Sequence, residues 1–92
     1  MQKLTDQELA TALTKLPEWK LDSGSIAREW KFKDFAEAMA FVNKVAEVAE
    51  SAGHHPDIDI RYNRVRLGLV THDASGITAN DTSMAERLDR EL

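Results

Sequence analysis

Alternating apolar and polar residues between positions 57 and 70 constrain the fold of this chain more than any other feature. Residues 58–62 and 65–70 each show the two-residue period of a half-buried β-strand. Asn63-Arg64 lies between the two segments, and its length and composition suit a tight turn. We therefore predict a β-hairpin over this region, with Asp57, Asp59, Arg61 and Arg66 on the face away from the core.

A second hairpin is predicted earlier in the chain. Residues 19–21 predict a brief strand, residues 22–25 a turn, and residues 26–32 a longer strand in which apolar residues alternate with polar ones. Arg28 interrupts the apolar face of this longer strand. The two hairpins together predict a four-stranded antiparallel sheet.

Three helices are predicted from capping residues followed by apolar residues at helical spacing. They are a short helix after Thr5-x-x-Glu8 that Pro17 closes, a long helix over about 34–52 that ends at Gly53, and a last helix after Thr78-x-x-Asp81. The predicted fold class is α+β, with the order αββαββα and three helices packed on one face of the sheet. We expect residues 1–92 to form a single domain.

Length and composition exclude several classes of protein. The chain has 92 residues, no cysteine and a formal net charge of −4. Disulfides and thiolate metal sites are therefore excluded, and a general nucleic-acid binder is disfavoured. The polar N-terminus and the lack of a long apolar run predict a cytoplasmic protein without a membrane segment. Because a chain this short buries a thin core, we expect a homo-oligomer.

The three histidines are the residues most informative about chemistry. His54 and His55 precede the third predicted strand, and His72 follows the fourth. If these strands pair as a hairpin, all three imidazoles gather at one end of the sheet. Imidazole titrates near neutral pH, with an unperturbed pKa of about 6.5, and suits proton transfer without a covalent intermediate.

Other interpretations of these residues stay open at this point. The histidines could be loop residues without a role, or they could bind Zn²⁺, although adjacent His54 and His55 point apart in an extended segment. No serine lies in a nucleophile elbow. Arg61, Arg64 and Arg66 form a small basic patch that is typical of a solvated strand face or a subunit contact.

A longer pattern runs through the histidines. Glu50-x-x-x-His54-His55-Pro56 is followed by Tyr62, His72 and Asp81 at fixed spacings. This pattern resembles the signature of the pterin-4a-carbinolamine dehydratase family, and the resemblance covers nearly the whole chain. Gly53 and Asn80 depart from it, since relatives often have a polar residue and a basic residue there.

The resemblance implies a hydro-lyase that converts 4a-hydroxytetrahydropterin, a pterin small-molecule substrate, into quinonoid dihydropterin and water, with no cofactor or metal. It assigns catalysis to His54, His55 and His72, with His54 and His72 in acid/base roles and His55 mainly holding the pterin. The other implied site residues are Pro56, Thr71, Asp73 and Trp19 around the substrate, and Glu50 and Asp81 as acids that orient histidines. It also implies a homodimer or homotetramer and a link to an aromatic amino acid hydroxylase. The alternative is a non-catalytic dimerisation cofactor of the same fold.

Overall fold

The computed structural model, which describes residues 2–92, has the predicted element order. The elements are α1 (Asp6–Thr14), β1 (Lys20–Asp22), β2 (Ser25–Lys31), α2 (Phe35–Ala52), β3 (Asp57–Arg61), β4 (Arg64–Leu69) and α3 (Ala79–Glu91). A 3₁₀ turn over His72–Ala74 lies between β4 and α3. The α+β class and the order αββαββα are confirmed. Among the described residues, no helix is long and apolar enough to cross a membrane.

The four strands form one antiparallel sheet in the order β1-β2-β4-β3. Burial is concentrated on the inner face of β4, one of the two central strands, where Val65, Leu67 and Leu69 are fully buried. The helices contribute the facing side chains, which are Ala38, Phe41, Val45, Val48 and Ala49 of α2 and Met84, Ala85 and Leu88 of α3. The core therefore lies between the helices and one face of the sheet.

Side-chain caps start the helices at the predicted residues. Thr5 and Glu8 form a reciprocal capping box at α1, and Thr78 and Asp81 form another at α3. Gly53 ends α2 in the left-handed conformation, with φ 65°, which glycine adopts without the steric cost of a Cβ. This chain reversal directs the next residues toward the sheet.

Two local predictions were wrong by one residue. The β3–β4 turn is Tyr62-Asn63 rather than Asn63-Arg64, because Arg64 pairs with Arg61 in the sheet. Asn63 is held by Phe32, whose carbonyl accepts its Nδ2–H at 2.8 Å. The first strand begins at Lys20, so Trp19 precedes it. Both shifts keep the apolar residues of each strand on the predicted face.

Candidate functional site

All three histidines line one pocket at the end of the sheet. Asp57 at the start of β3 pairs with Gly68 near the end of β4, so the segments before β3 and after β4 leave the sheet at the same end. The pocket has a volume of about 290 Å³ and is lined by Gly53, His54, His55, Val70, Thr71, His72 and Asp73. The hairpin thus brings together residues that lie far apart in the sequence.

His54 is held from two sides. Its backbone N–H donates to the Ala49 carbonyl at 3.2 Å, which extends the end of α2. Its ring Nε2 lies 2.5 Å from Oδ1 of Asp81. The Asp81 side chain is fully buried and that of His54 is 17% exposed, so the pair is largely screened from solvent.

The hydrogen bonds that Asp81 accepts indicate which atom is the donor in its contact with His54. Its Oδ2 accepts the backbone N–H of Thr78 at 2.9 Å and the hydroxyl of Thr71 at 2.8 Å. Oδ2 thus accepts two donors, as a carboxylate oxygen does, and a carboxylate can only accept, so Nε2 of His54 is the donor to Oδ1. When the ring is neutral, its lone pair is therefore on Nδ1, which is left for a ligand or water.

His55 has a different environment from its neighbour. Its Nε2 pairs with Oε2 of Glu50, which lies in the last turn of α2. The side chains of His55 and Glu50 are 60% and 76% exposed. Each of the two acids singled out by the resemblance thus contacts one histidine, but only Asp81 does so in the interior.

The 3₁₀ turn places the third imidazole. His72 and Asp73 are exposed on this turn. The turn is closed at its base by Thr71 and Gly76, which exchange two backbone hydrogen bonds of 3.0 and 3.4 Å. His72 therefore lines the pocket together with its neighbours Thr71 and Asp73.

Two predicted pocket residues lie elsewhere. Trp19 is 2% exposed in the core, and its Nε1–H donates to Asp89 of α3 at 3.0 Å. Arg28, the residue that interrupts the apolar face of β2, donates to the same carboxylate oxygen at 2.7 Å. Pro56 is buried and does not line the pocket. Neither residue lines this pocket of the protomer, and their assignment to the substrate stays a prediction.

The two departures from the resemblance lie around His54. Gly53 and His54 also line a second pocket of about 260 Å³, together with Ala52, Asn80, Ser83, Met84 and Arg87. Asn80 thus belongs to the second pocket and not to the histidine pocket. Among residues 2–92, no three histidine, aspartate or glutamate side chains are grouped so that they could hold a metal ion.

The sequence did not indicate the wider role of Thr78. It was expected only as the cap of α3, but its hydroxyl also lies 2.8 Å from that of Thr71. No pattern in the sequence relates these two residues, because their contact depends on the Thr71–Gly76 closure that folds the chain back. Thr78 therefore joins the residues around the site.

Comparisons with known proteins give a consistent result. A family model described as "Pterin 4 alpha carbinolamine dehydratase" matches residues 2–91. A "Putative pterin-4-alpha-carbinolamine dehydratase" of Acidobacterium capsulatum is 58% identical over the full length of both chains. A "Putative pterin-4-alpha-carbinolamine dehydratase 2" of Gloeobacter violaceus is 54% identical over 96% of this chain and 100% of its own.

Solved structures with the same fold include two proteins. The "transcriptional coactivator/pterin dehydratase from Brucella Melitensis" has a TM-score of 0.88 and 38% identity, with 97% of each chain covered. A pterin dehydratase-like protein described as a RuBisCO assembly factor of the alpha-carboxysome has a TM-score of 0.62 and 20% identity, over 78% of this chain and 83% of its own. The second likeness shows the fold alone.

Proposed function

Because this chain belongs to the pterin 4 alpha carbinolamine dehydratase family, we propose that it removes water from 4a-hydroxytetrahydropterin by proton transfer through histidines. The observation that carries the proposal is the convergence of three imidazoles on one pocket, one of them bonded to a buried carboxylate. Such a site supplies an acid and a base at neutral pH without a cofactor.

The reaction needs two proton transfers. The N5 lone pair forms a double bond to C4a as the C4a–O bond breaks. An acid protonates the leaving oxygen, which departs as water, and a base takes the N5 proton. The product is quinonoid dihydropterin, and the two side chains return to their first protonation states by exchange with solvent.

His54 suits the role of the base. Its Nε2–H is committed to Asp81, so Nδ1 is the nitrogen that can accept a proton. The resulting imidazolium lies against the Asp81 carboxylate, which stabilises the positive charge. Exposed His72 suits the role of the acid, since it exchanges protons directly with solvent.

The test is an assay of the purified protein on synthetic 4a-hydroxytetrahydropterins with two or three different side chains. The intact protein should speed dehydration, and His54→Ala and His72→Ala should each lower kcat by about 10²-fold or more if each performs a full acid/base step. Unchanged kcat in both variants would remove the histidine mechanism. A wild-type protein that fails on every pterin would remove the dehydratase function.

A second candidate is a non-catalytic interaction module. It is supported by the Brucella structure, whose description joins a transcriptional coactivator with a pterin dehydratase. The two candidates differ in their need for the histidines. A protein that acts only as an adaptor should keep its partner when His54 and His72 are replaced.

The remaining expectations are parts of the same proposal. They are a cytoplasmic location, a homodimer or homotetramer, and service to an aromatic amino acid hydroxylase in pterin recycling. The edge strands β1 and β3 leave one side of their backbone unpaired within the sheet, which favours association. Light scattering at micromolar concentration should show a species larger than the 10.3 kDa protomer, and a protomer alone would refute association.

A further inference from the structure

The two threonine hydroxyls beside Asp81 form a chain of hydrogen bonds with a single direction. The Thr71 hydroxyl has one proton, and Oδ2 of Asp81 can only accept it. In the 2.8 Å contact between the two hydroxyls, Thr78 must therefore be the donor. The Thr78 oxygen in turn accepts the backbone N–H of Asn80 at 3.2 Å. The chain runs from α3 through Thr78 and Thr71 to Asp81.

These hydrogen bonds hold Oδ2 of Asp81 and leave Oδ1 for the imidazole of His54. Oδ2 receives both the Thr71 hydroxyl and the Thr78 backbone N–H, while Oδ1 receives only His54. Thr78 and Asp81 are both fully buried, so water can reach these hydrogen bonds only through Thr71, which lines the pocket. The hydroxyl chain thus fixes the plane of the carboxylate against the ring of His54.

We propose that Thr78 is a positioning residue, which acts through Thr71 and Asp81 to hold His54 as the Nε2–H tautomer with Nδ1 free to accept a proton. The inference deepens the proposed dehydratase function and rests on it for its effect on rate. The effect on the ring itself does not depend on which reaction the pocket performs.

The chain offers a matched control at its other capping box. Thr5 caps α1 with the same reciprocal bonds to Glu8, at 2.8 and 3.1 Å, but it is exposed and contacts no histidine. Thr5→Val and Thr78→Val therefore remove the same group from the same kind of helix start. Only Thr78→Val interrupts the hydrogen bonds that run through Thr71 and Asp81 to His54.

The experiment combines ¹⁵N NMR of the histidine rings, at a pH where they are neutral, with steady-state kinetics. Thr78→Val should convert the Nε2–H signature of His54 into a mixture of tautomers and lower kcat by about tenfold with little change in KM. Thr78→Ser, which restores the hydroxyl, should recover both, and Thr5→Val should change neither. If Thr78→Val does not fold, Thr78→Gly removes the hydroxyl at a position where an N-cap tolerates glycine.

Each result decides the proposal. An unchanged His54 signature in the folded valine or glycine variant would overturn it, and so would an altered signature with unchanged kcat. A loss of stability alone, matching that of Thr5→Val, would reduce Thr78 to a cap. If the wild-type protein dehydrates no pterin, the proposed function fails, and the NMR comparison still decides whether Thr78 positions the ring.

Discussion

His54 and His55 are neighbours in the chain, and each pairs with an acid, but the two pairs differ in burial. The His54–Asp81 pair has side chains 17% and 0% exposed, whereas those of His55 and Glu50 are 60% and 76% exposed. Asp81 also accepts two further hydrogen bonds from fixed donors. Glu50 extends from α2 toward solvent.

The difference determines what each carboxylate can do. In solvent, an ion pair competes with water and salt, so exposed pairs contribute about 0–1 kcal/mol. In the interior, a hydrogen bond to a charged group is stronger, and loss of a partner leaves a buried polar group unsatisfied. The buried pair can therefore control a proton, while the exposed pair is suited to aligning a ligand-binding side chain.

Asp81→Asn should give the largest effect. The amide cannot stabilise an imidazolium as the carboxylate does, so kcat should fall by about 10²-fold. The helix start also loses charge-assisted bonds, so the free energy of unfolding should fall by about 1–3 kcal/mol. Kinetics on fully folded samples and thermal unfolding would measure the two effects. Lost stability with unchanged kcat would leave Asp81 as a cap only.

His55→Ala should give an intermediate effect of a different kind. If His55 mainly holds the pterin, its loss should raise KM severalfold and leave kcat within about threefold. Full saturation curves for this variant and for His54→Ala provide the comparison. A fall in kcat as large as that of His54→Ala would contradict the assignment of different roles to the two neighbours.

Glu50→Gln should have a small effect, because its pair with His55 is exposed. We expect kcat/KM to change by about twofold or less and stability by less than about 0.5 kcal/mol. Raising the salt concentration should bring the kcat/KM of the wild type closer to that of Glu50→Gln, since salt screens exposed charges. An effect comparable to that of Asp81→Asn would break the distinction between the two pairs.

Removal of metal should have no effect. If one metal ion coordinated all three histidines, they would share a single role. The His54–Asp81 and His55–Glu50 pairs would then not differ in function. Activity should therefore survive dialysis against a chelator. Stoichiometric zinc together with chelator-sensitive activity would overturn the proposed mechanism.

Local patterns predicted most of the fold. The capping boxes at Thr5 and Thr78 and the glycine at position 53 mark helix ends that the structure reproduces. The apolar residues of each strand keep their predicted face because alternation does not depend on the turn. The turn itself was misplaced, since its position depends on Asn63 bonding to Phe32, 31 residues away.

Contacts between distant residues set the limits of prediction at the site. The hairpin register was enough to place the three histidines together. Buried Trp19 donates to Asp89, 70 residues further on, and no local period reveals that pairing. The same holds for the hydroxyl contact between Thr71 and Thr78, which requires the Thr71–Gly76 closure of the chain.

The central claim is that Asp81 acts on the reaction through His54, and a double-mutant cycle on kcat tests it most directly. The four proteins are the wild type, His54→Ala, Asp81→Asn and the double variant, compared as folded samples on one pterin. Residues that act as a unit are non-additive, so the double variant should be no slower than His54→Ala alone. If the two single effects multiply in the double variant, Asp81 acts independently of His54 and the claim is contradicted.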